Sequence, residues 1–300
     1  MEIIKKLNTR QQTVVALGNF DGLHKAHTEV IKKCVEEAYE RNVKSTVLLF
    51  FEHTQNITEN INVKLLTDLD TKLVILDGMG VDIVFMKHFT REFMELSPAE
   101  FVDFLHRELN PVALCAGYDY RFGHKAEGDI KTLKALCREK GIDVFITDEV
   151  KEGGTPVKST VIRKYIANGE MEKANAMLGR NFALRGEVKK GFQNGRKIGV
   201  PTANVGVLEN IILPLDGVYM GYTKVEGKKY KSLINVGNNP TVNGKDTTVE
   251  SHILDFSGDI YGKVIEVEFC KRLRGEIKFA SVEELKKQIE KDLERVIQCI

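Results

Sequence analysis

The chain has 300 residues, 42% of them hydrophobic and 29% charged, which supports a sizeable core and excludes a disordered, collagen-like or disulfide-scaffold protein. Lys and Arg number 44 against 43 Asp and Glu, a formal net charge of +1, so nothing favours a broadly basic nucleic-acid binder. The length suits two ordinary domains.

The cysteines, Cys34, Cys115, Cys137, Cys270 and Cys299, form no Cys-x-x-Cys pair. Reduced thiols in a cytoplasmic protein are expected, without a zinc site or disulfides. Met1 to Gln12 holds no continuous apolar stretch, so no signal peptide is expected, and no apolar run reaches membrane-span length.

The first half alternates short apolar runs with helical patterns. Thr13–Leu17, Val43–Phe51, Val81–Met86, Pro111–Ala116 and Ile142–Thr147 are predicted strands. Between them, Val30, Ile31, Cys34, Val35 and Ala38 fall at helical spacing, a second helix opens near Thr67, and Asp129–Lys140 forms another. Ser97-Pro98-Ala99-Glu100 is a capping box with proline at the first helical position. Strand–helix alternation predicts an α/β, doubly wound parallel sheet. The second half places strand-like runs at Phe182–Lys190, Gly217–Val225, Lys229–Val236, Thr248–Phe256 and Lys263–Leu273, with Gly- and Asn-rich turns between them. Strands in succession predict an antiparallel β-barrel or sandwich. A C-terminal helix follows, capped by Ser281 and Glu284, with Leu285, Ile289, Leu293, Val296, Ile297 and Ile300 on the face expected to pack on it. The domain boundary is expected near Gly179, giving 1–179 and 180–300.

The first candidate site is Gly18-Asn19-Phe20-Asp21-Gly22-Leu23-His24-Lys25-Ala26-His27, between the first strand and the first helix. In a doubly wound sheet ligands bind beyond the carboxyl ends of the strands, and a Gly-rich turn at a helix N-terminus suits an anion. His24 and His27 share a face at that helix start, where two imidazoles suit a polyphosphate. The Rossmann glycine pattern and the Gly-x-x-x-x-Gly-Lys-Ser/Thr loop are both absent. The plainer alternatives are a tight turn with surface histidines, or a two-histidine metal site without a nearby third ligand.

These residues carry a resemblance. Gly-x-Phe-Asp-Gly-x-His-x-x-His resembles the signature of nucleotidyltransferases that join a phosphate-bearing molecule to the AMP part of ATP. Ser159-Thr160-Val161-Ile162-Arg163 resembles their Ser/Thr-x-x-Arg partner motif, and Gly117-Tyr118-Asp119-Tyr120-Arg121-Phe122-Gly123 resembles a signature of the FAD synthetase branch. In the second half, the segment from Gly195 to Asn204, with Pro201-Thr202-Ala203-Asn204 at its core, is similar to the riboflavin kinase signature. Thr248–Phe256 resembles its catalytic-glutamate strand and Leu273–Phe279 its flavin-side loop. In order and spacing the six segments resemble the prokaryotic bifunctional riboflavin kinase/FAD synthetase family.

The resemblance implies phosphorylation of riboflavin to FMN with ATP, then adenylylation of FMN to FAD with release of pyrophosphate. It implies that Gly18, Phe20, Asp21, Gly22, His24 and His27 serve the nucleotide of the first site. Ser159, Thr160 and Arg163 would grip its outer phosphates, with Asp119 beside adenosine or flavin. For the kinase it implies Glu250 as base, Thr202 on Mg²⁺, Asn204 at the nucleotide and Arg274 at the flavin or nucleotide side. Small-molecule partners are expected, with no nucleic acid and no membrane; oligomeric state is left open. Two departures fall in the first half: Ala26 stands where the family usually has Gly, and Phe51-Glu52-His53-Thr54 lacks the prolines of a Pro-His-Pro-like turn. A kinase with a weakened adenylyltransferase half and a non-catalytic flavin- or nucleotide-binding regulator are the competing expectations.

Overall fold

The computed structural model describes residues 1–6, 11–51, 63–190, 199–241 and 244–299. Their contacts divide the chain into two compact units, Met1–Leu65 with Leu69–Lys158, and Leu66–Asp68 with Ser159–Ile300.

The first unit is a parallel sheet of β1 (Glu2–Ile4), β2 (Thr13–Leu17), β3 (Lys44–Phe50), β4 (Ile83–Lys87), β5 (Pro111–Gly117) and β6 (Asp143–Thr147), in the order β1-β4-β3-β2-β5-β6. Every residue of β2 is buried, as a strand covered on both faces requires. Its alternate side chains serve two cores. Val14 and Ala16 pack with Val30, Ile31 and Cys34 of α1 (Lys25–Glu40) and with Leu76 of α2 (Leu69–Gly78). Val15 and Leu17 pack beneath Phe93 of α3 (Arg91–Met94), Val102 and Leu105 of α4 (Pro98–Leu109) and Leu133 of α5 (Ile130–Glu139). The expected capping box opens α4: the Ser97 side chain accepts from the Glu100 N–H, and Glu100 accepts from the Ser97 N–H. The edge strand β1 was not anticipated; three residues flanked by lysines carry too little periodicity to be read. A two-stranded ribbon, β7 (Lys151–Glu152) with β8 (Thr155–Pro156), ends the unit.

The chain runs from β2 to β3 on one side and later returns to β5 on the other. The loops after β2 and β5 therefore flank the switch point, where open α/β sheets bind ligands.

The second unit begins with α6 (Ser159–Ala167) and α7 (Met171–Leu178). A closed antiparallel barrel follows, made of β9 (Phe182–Lys189), β10 (Ala203–Val207), β11 (Gly217–Val225), β12 (Lys228–Thr241), β13 (Gly244–Ile253) and β14 (Val264–Arg274). Gly179 ends α7 with φ of 73°, the left-handed conformation glycine takes freely. The contact division falls before both helices, at Lys158. Asn175 explains why α7 goes with the barrel: its amide donates to the Phe269 carbonyl of β14 at 2.8 Å and accepts from the Phe182 N–H of β9 at 2.7 Å.

Inside the barrel Val249, Ser251 and Ile253 are buried, the alternation expected of that strand. Three buried hydroxyls satisfy one another there, Ser232 donating to Thr223 at 2.9 Å with Thr223 and Ser251 2.7 Å apart. The closing helix α8 (Val282–Cys299) buries Val296 against Val218, Met220 and Leu233, flanked by Ile289 and Leu293. Ile297, expected on that face, is exposed, whereas Asp292 is fully buried. Helical geometry sets Asp292 nearer than Ile297 to the centre of the stripe through Leu285, Ile289 and Val296. Ile300 lies outside the described residues.

Candidate active sites

In the first unit the loop from Gly18 to His24 turns sharply out of β2. Phe20 (φ 47°) and Leu23 (φ 42°) both take left-handed conformations beside Gly22 (φ 82°), strain that a packed surround must hold. It is held from below, because Phe20, Asp21, Leu23 and His24 are all buried. The Phe20 ring lies beneath the loop, edge-on to His27 at 5.3 Å. A Cβ at Gly18 would meet that ring at 3.0 Å. Phe20 thus shapes the loop rather than offering a side chain to solvent.

His24 caps α1, its Nδ1 accepting from the His27 N–H at 3.3 Å. An accepting Nδ1 puts the ring proton on Nε2. The His27 ring stacks on that of His24 with centroids 3.6 Å apart. Loss of contact with water holds its pKa well below the usual 6.5, with His24 and the Lys72 ammonium adding to the shift. His27 is therefore neutral at pH 7. His27 Nδ1 is buried with no hydrogen-bond partner among the described residues.

A cavity of about 540 Å³ opens beside the start of this loop. Gly18 and Asn19 line it, with Phe50, Phe89 and Phe93 on one side and Tyr120 and Phe122 on the other. The three phenylalanines pack edge to face at 5.0 to 5.7 Å, and Tyr120 stacks on Phe122 at 5.9 Å. Gly123 ends that wall with φ of 73°, where a Cβ would strike the Pro98 nitrogen at 2.8 Å, so only glycine fits. Asp119 lies outside this lining, on the exposed loop after β5, paired with Lys158 at 2.8 Å. Ser159, Thr160 and Arg163 occupy the first turns of α6 in the second unit.

On the barrel's outer face three strands bring polar side chains into one row. Glu250 of β13 lies opposite Asn204 of β10 on one side and Asn235 of β12 on the other. Directly opposite residues on one face of a sheet are neighbours. Thr202, two residues before Asn204, donates its hydroxyl to Glu250 Oε2 at 3.0 Å. Thr202 also lines two cavities. One, about 1050 Å³, is walled by apolar Val218, Leu233, Phe279 and Ile289 and carries Glu250 and Asn235. The other, about 540 Å³, is walled by Phe256, Ile260 and Tyr261.

A family model described as FAD synthetase matches residues 6–161, and one described as riboflavin kinase matches residues 178–300. The bifunctional riboflavin kinase/FMN adenylyltransferase of Listeria monocytogenes is 38% identical over 282 residues, 93% of this chain and 90% of that protein. The enzymes of the same name from Bacillus subtilis and Escherichia coli K12 are 33% and 36% identical over 298 and 301 residues, covering 96% and 97% of this chain and 92% and 96% of those proteins. The chain belongs to the bifunctional riboflavin kinase/FMN adenylyltransferase family. A crystal structure described as a macrolide-efflux protein from Streptococcus pneumoniae shares its fold, with a TM-score of 0.92 and 30% identity over 100% of this chain and 99% of that one. No helix among the described residues is long and apolar enough to cross a membrane.

Within this bifunctional family member, Thr202, Asn204 and Glu250 come together, and so do Gly18, Gly22, His24 and His27. Arg274 lines the larger barrel cavity, but its guanidinium is bound to buried Asp292 at 2.8 Å. Ala26 sits in the first turn of α1, where a methyl group imposes no backbone strain. Phe51 stacks on His88 at 4.4 Å, whereas Glu52, His53 and Thr54 lie outside the described residues, as do Gly195 to Ile198. Sequence reasoning missed Asn235 and the phenylalanine wall. Asn235 carried a signal, a lone amide inside Leu233-Ile234-Asn235-Val236, where a buried polar group needs a purpose. The phenylalanines carried none, because Phe50 on its strand, and Phe89 and Phe93 after the next one, read as ordinary core aromatics.

Proposed function

We propose that the chain phosphorylates the 5′-hydroxyl of riboflavin with ATP and then joins the resulting FMN to the AMP part of a second ATP. One observation carries the kinase step: Thr202 stands where the two barrel cavities meet, with its hydroxyl on Glu250. The larger, apolar cavity suits the flavin rings and the smaller, aromatic one the adenine. Glu250 then faces the riboflavin hydroxyl. Its carboxylate takes the hydroxyl proton as the oxygen attacks the γ-phosphorus and the bond to ADP breaks.

Thr202, Asn204 and Glu250 offer a hydroxyl, a carboxamide and a carboxylate, hard oxygen donors that fit Mg²⁺ shared with ATP phosphates. A bound Mg²⁺ would neutralise charge on those phosphates. Asn204 and Asn235 stand opposite Glu250 on the neighbouring strands.

In the first unit the phenylalanine-walled cavity suits the FMN ring system, and the stacked histidine pair suits the ATP phosphates as hydrogen-bond donors. A phosphate oxygen of FMN attacks the α-phosphorus and pyrophosphate leaves; alignment supplies most of the rate. The roles of Ser159, Thr160 and Arg163 at the outer phosphates, of Asp119 at adenosine or flavin and of Arg274 at the flavin side of the kinase are supported by the motif resemblance. We place the protein in the cytoplasm, where its free thiols Cys34, Cys115, Cys137 and Cys270 stay reduced.

The test is purified full-length protein with riboflavin, ATP and Mg²⁺, followed by flavin chromatography. FMN and then FAD are expected. FMN alone would leave a kinase with a silent first unit, and neither product would reject the proposal.

A further inference from the structure

His252 borders the larger barrel cavity but has no role among the groups assigned above. It follows Glu250 by two residues on β13, so both side chains leave the same outer face. Pairing of β10 with β13 runs from Val205 opposite Val249 to Ala203 opposite Ser251. The ladder ends there, and continuing its register would set Thr202 opposite His252. Pro201, next along, has no N–H with which to extend it. Its carbonyl oxygen lies instead 2.7 Å from His252 Nδ1. A carbonyl only accepts, so Nδ1 carries the proton and donates. One side-chain hydrogen bond thus extends the strand pairing beyond the last backbone pair. It acts on the residue directly before Thr202, whose hydroxyl is the link to Glu250.

We propose that His252 is a positioning residue for phosphoryl transfer: its imidazole fastens Pro201, which keeps Thr202 beside Glu250 where the ATP phosphates must arrive. The role rests on the kinase function proposed above. Thr202 lies in the segment just before β10, where backbone rotation moves its hydroxyl freely unless something holds the preceding carbonyl. A displacement of about 1 Å at a reacting centre can cost on the order of a hundredfold in rate. The Pro201 tether therefore leaves the Thr202 hydroxyl free to turn from Glu250 toward a phosphate while its backbone stays in place.

The test compares His252→Leu, His252→Asn and His252→Gln in the full-length chain. Asparagine carries its amide nitrogen as many bonds from Cα as Nδ1, and glutamine carries it one bond further out. His252→Leu is expected to lower kcat for riboflavin phosphorylation about tenfold and raise KM for ATP, with KM for riboflavin changed by less than about twofold. His252→Asn should recover most of the loss and His252→Gln should not. FAD formation from supplied FMN, measured on the same preparations, should stay at the parent level. An unchanged kcat in His252→Leu overturns the role, and so does a loss confined to KM for riboflavin, which would mean direct flavin contact. If His252→Leu fails to fold, the other two variants decide: equal activity in both overturns the role. A parent chain that makes no FMN rejects the kinase function itself, whereas an active parent with indifferent variants rejects this role alone.

Discussion

Two imidazoles stacked with centroids 3.6 Å apart cannot both carry charge without strong repulsion, and the pKa of His27 lies well below 6.5. In the unfolded chain the same ring protonates near its usual value. The unfolded state therefore binds more protons in the interval between the two, and stability falls as pH drops through about 6.5. The melting temperature of the first unit should decline from about pH 7.5 to about pH 5.5, and His27→Asn should flatten that slope. Calorimetry at several pH values checks it, and equal slopes would remove His27 as the cause. Ala26, one residue before His27, makes a separate point. Its place inside α1 means that Ala26→Gly relieves no strain and weakens the first turn by less than about 1 kcal/mol. FAD formation should stay within about twofold of the parent, since only a methyl group leaves a helical position. A several-fold rise in FAD would mean that this methyl group obstructs the nucleotide.

The elements show where a sequence speaks and where it stays silent. The five strands β2 to β6 were legible because each is an apolar run between helical patterns, and the α4 cap because Ser-Pro-x-Glu has one local solution. Strand β10 was not: Ala203-Asn204-Val205-Gly206-Val207 alternates weakly, and Pro201 just before it reads as a turn. The polar row is a register property, so Asn204, Glu250 and Asn235 could not be aligned until three strands were paired. Helix α8 repeats the lesson. Its stripe was read as wholly apolar, yet Asp292 is fully buried within it and holds Arg274, with Gln288 donating to the same carboxylate at 3.0 Å. Removing one partner of such a pair strands the other, so Asp292→Ala should destabilise the barrel unit by about 3 kcal/mol. It should also weaken riboflavin binding, because Arg274 lines the larger cavity. Replacing both partners together, as Arg274→Met with Asp292→Leu, should recover part of the stability. Urea titration measures the first effect and flavin fluorescence the second.

At the scale of the whole molecule, a net charge of +1 coexists with two sites that bind polyphosphates. On the proposed roles each site uses local groups, a stacked histidine pair in one and oxygen donors in the other, so no extended basic surface is needed. The two chemistries then depend on different side chains of one chain, which point changes can separate. Full-length variants are preferable to fragments, because Ser159, Thr160 and Arg163 lie beyond the division at Lys158. Glu250→Gln removes the proposed base while keeping the size and one acceptor of the side chain. FMN formation should fall on the order of a hundredfold or more, while supplied FMN is still converted to FAD. His24→Ala should do the reverse, accumulating FMN from riboflavin without FAD. Mixed in equal amounts, the two variants should together make FAD from riboflavin, because FMN is a soluble product that one chain releases and another can bind. A mixture that stops at FMN would show instead that the intermediate must pass between the two sites of a single chain.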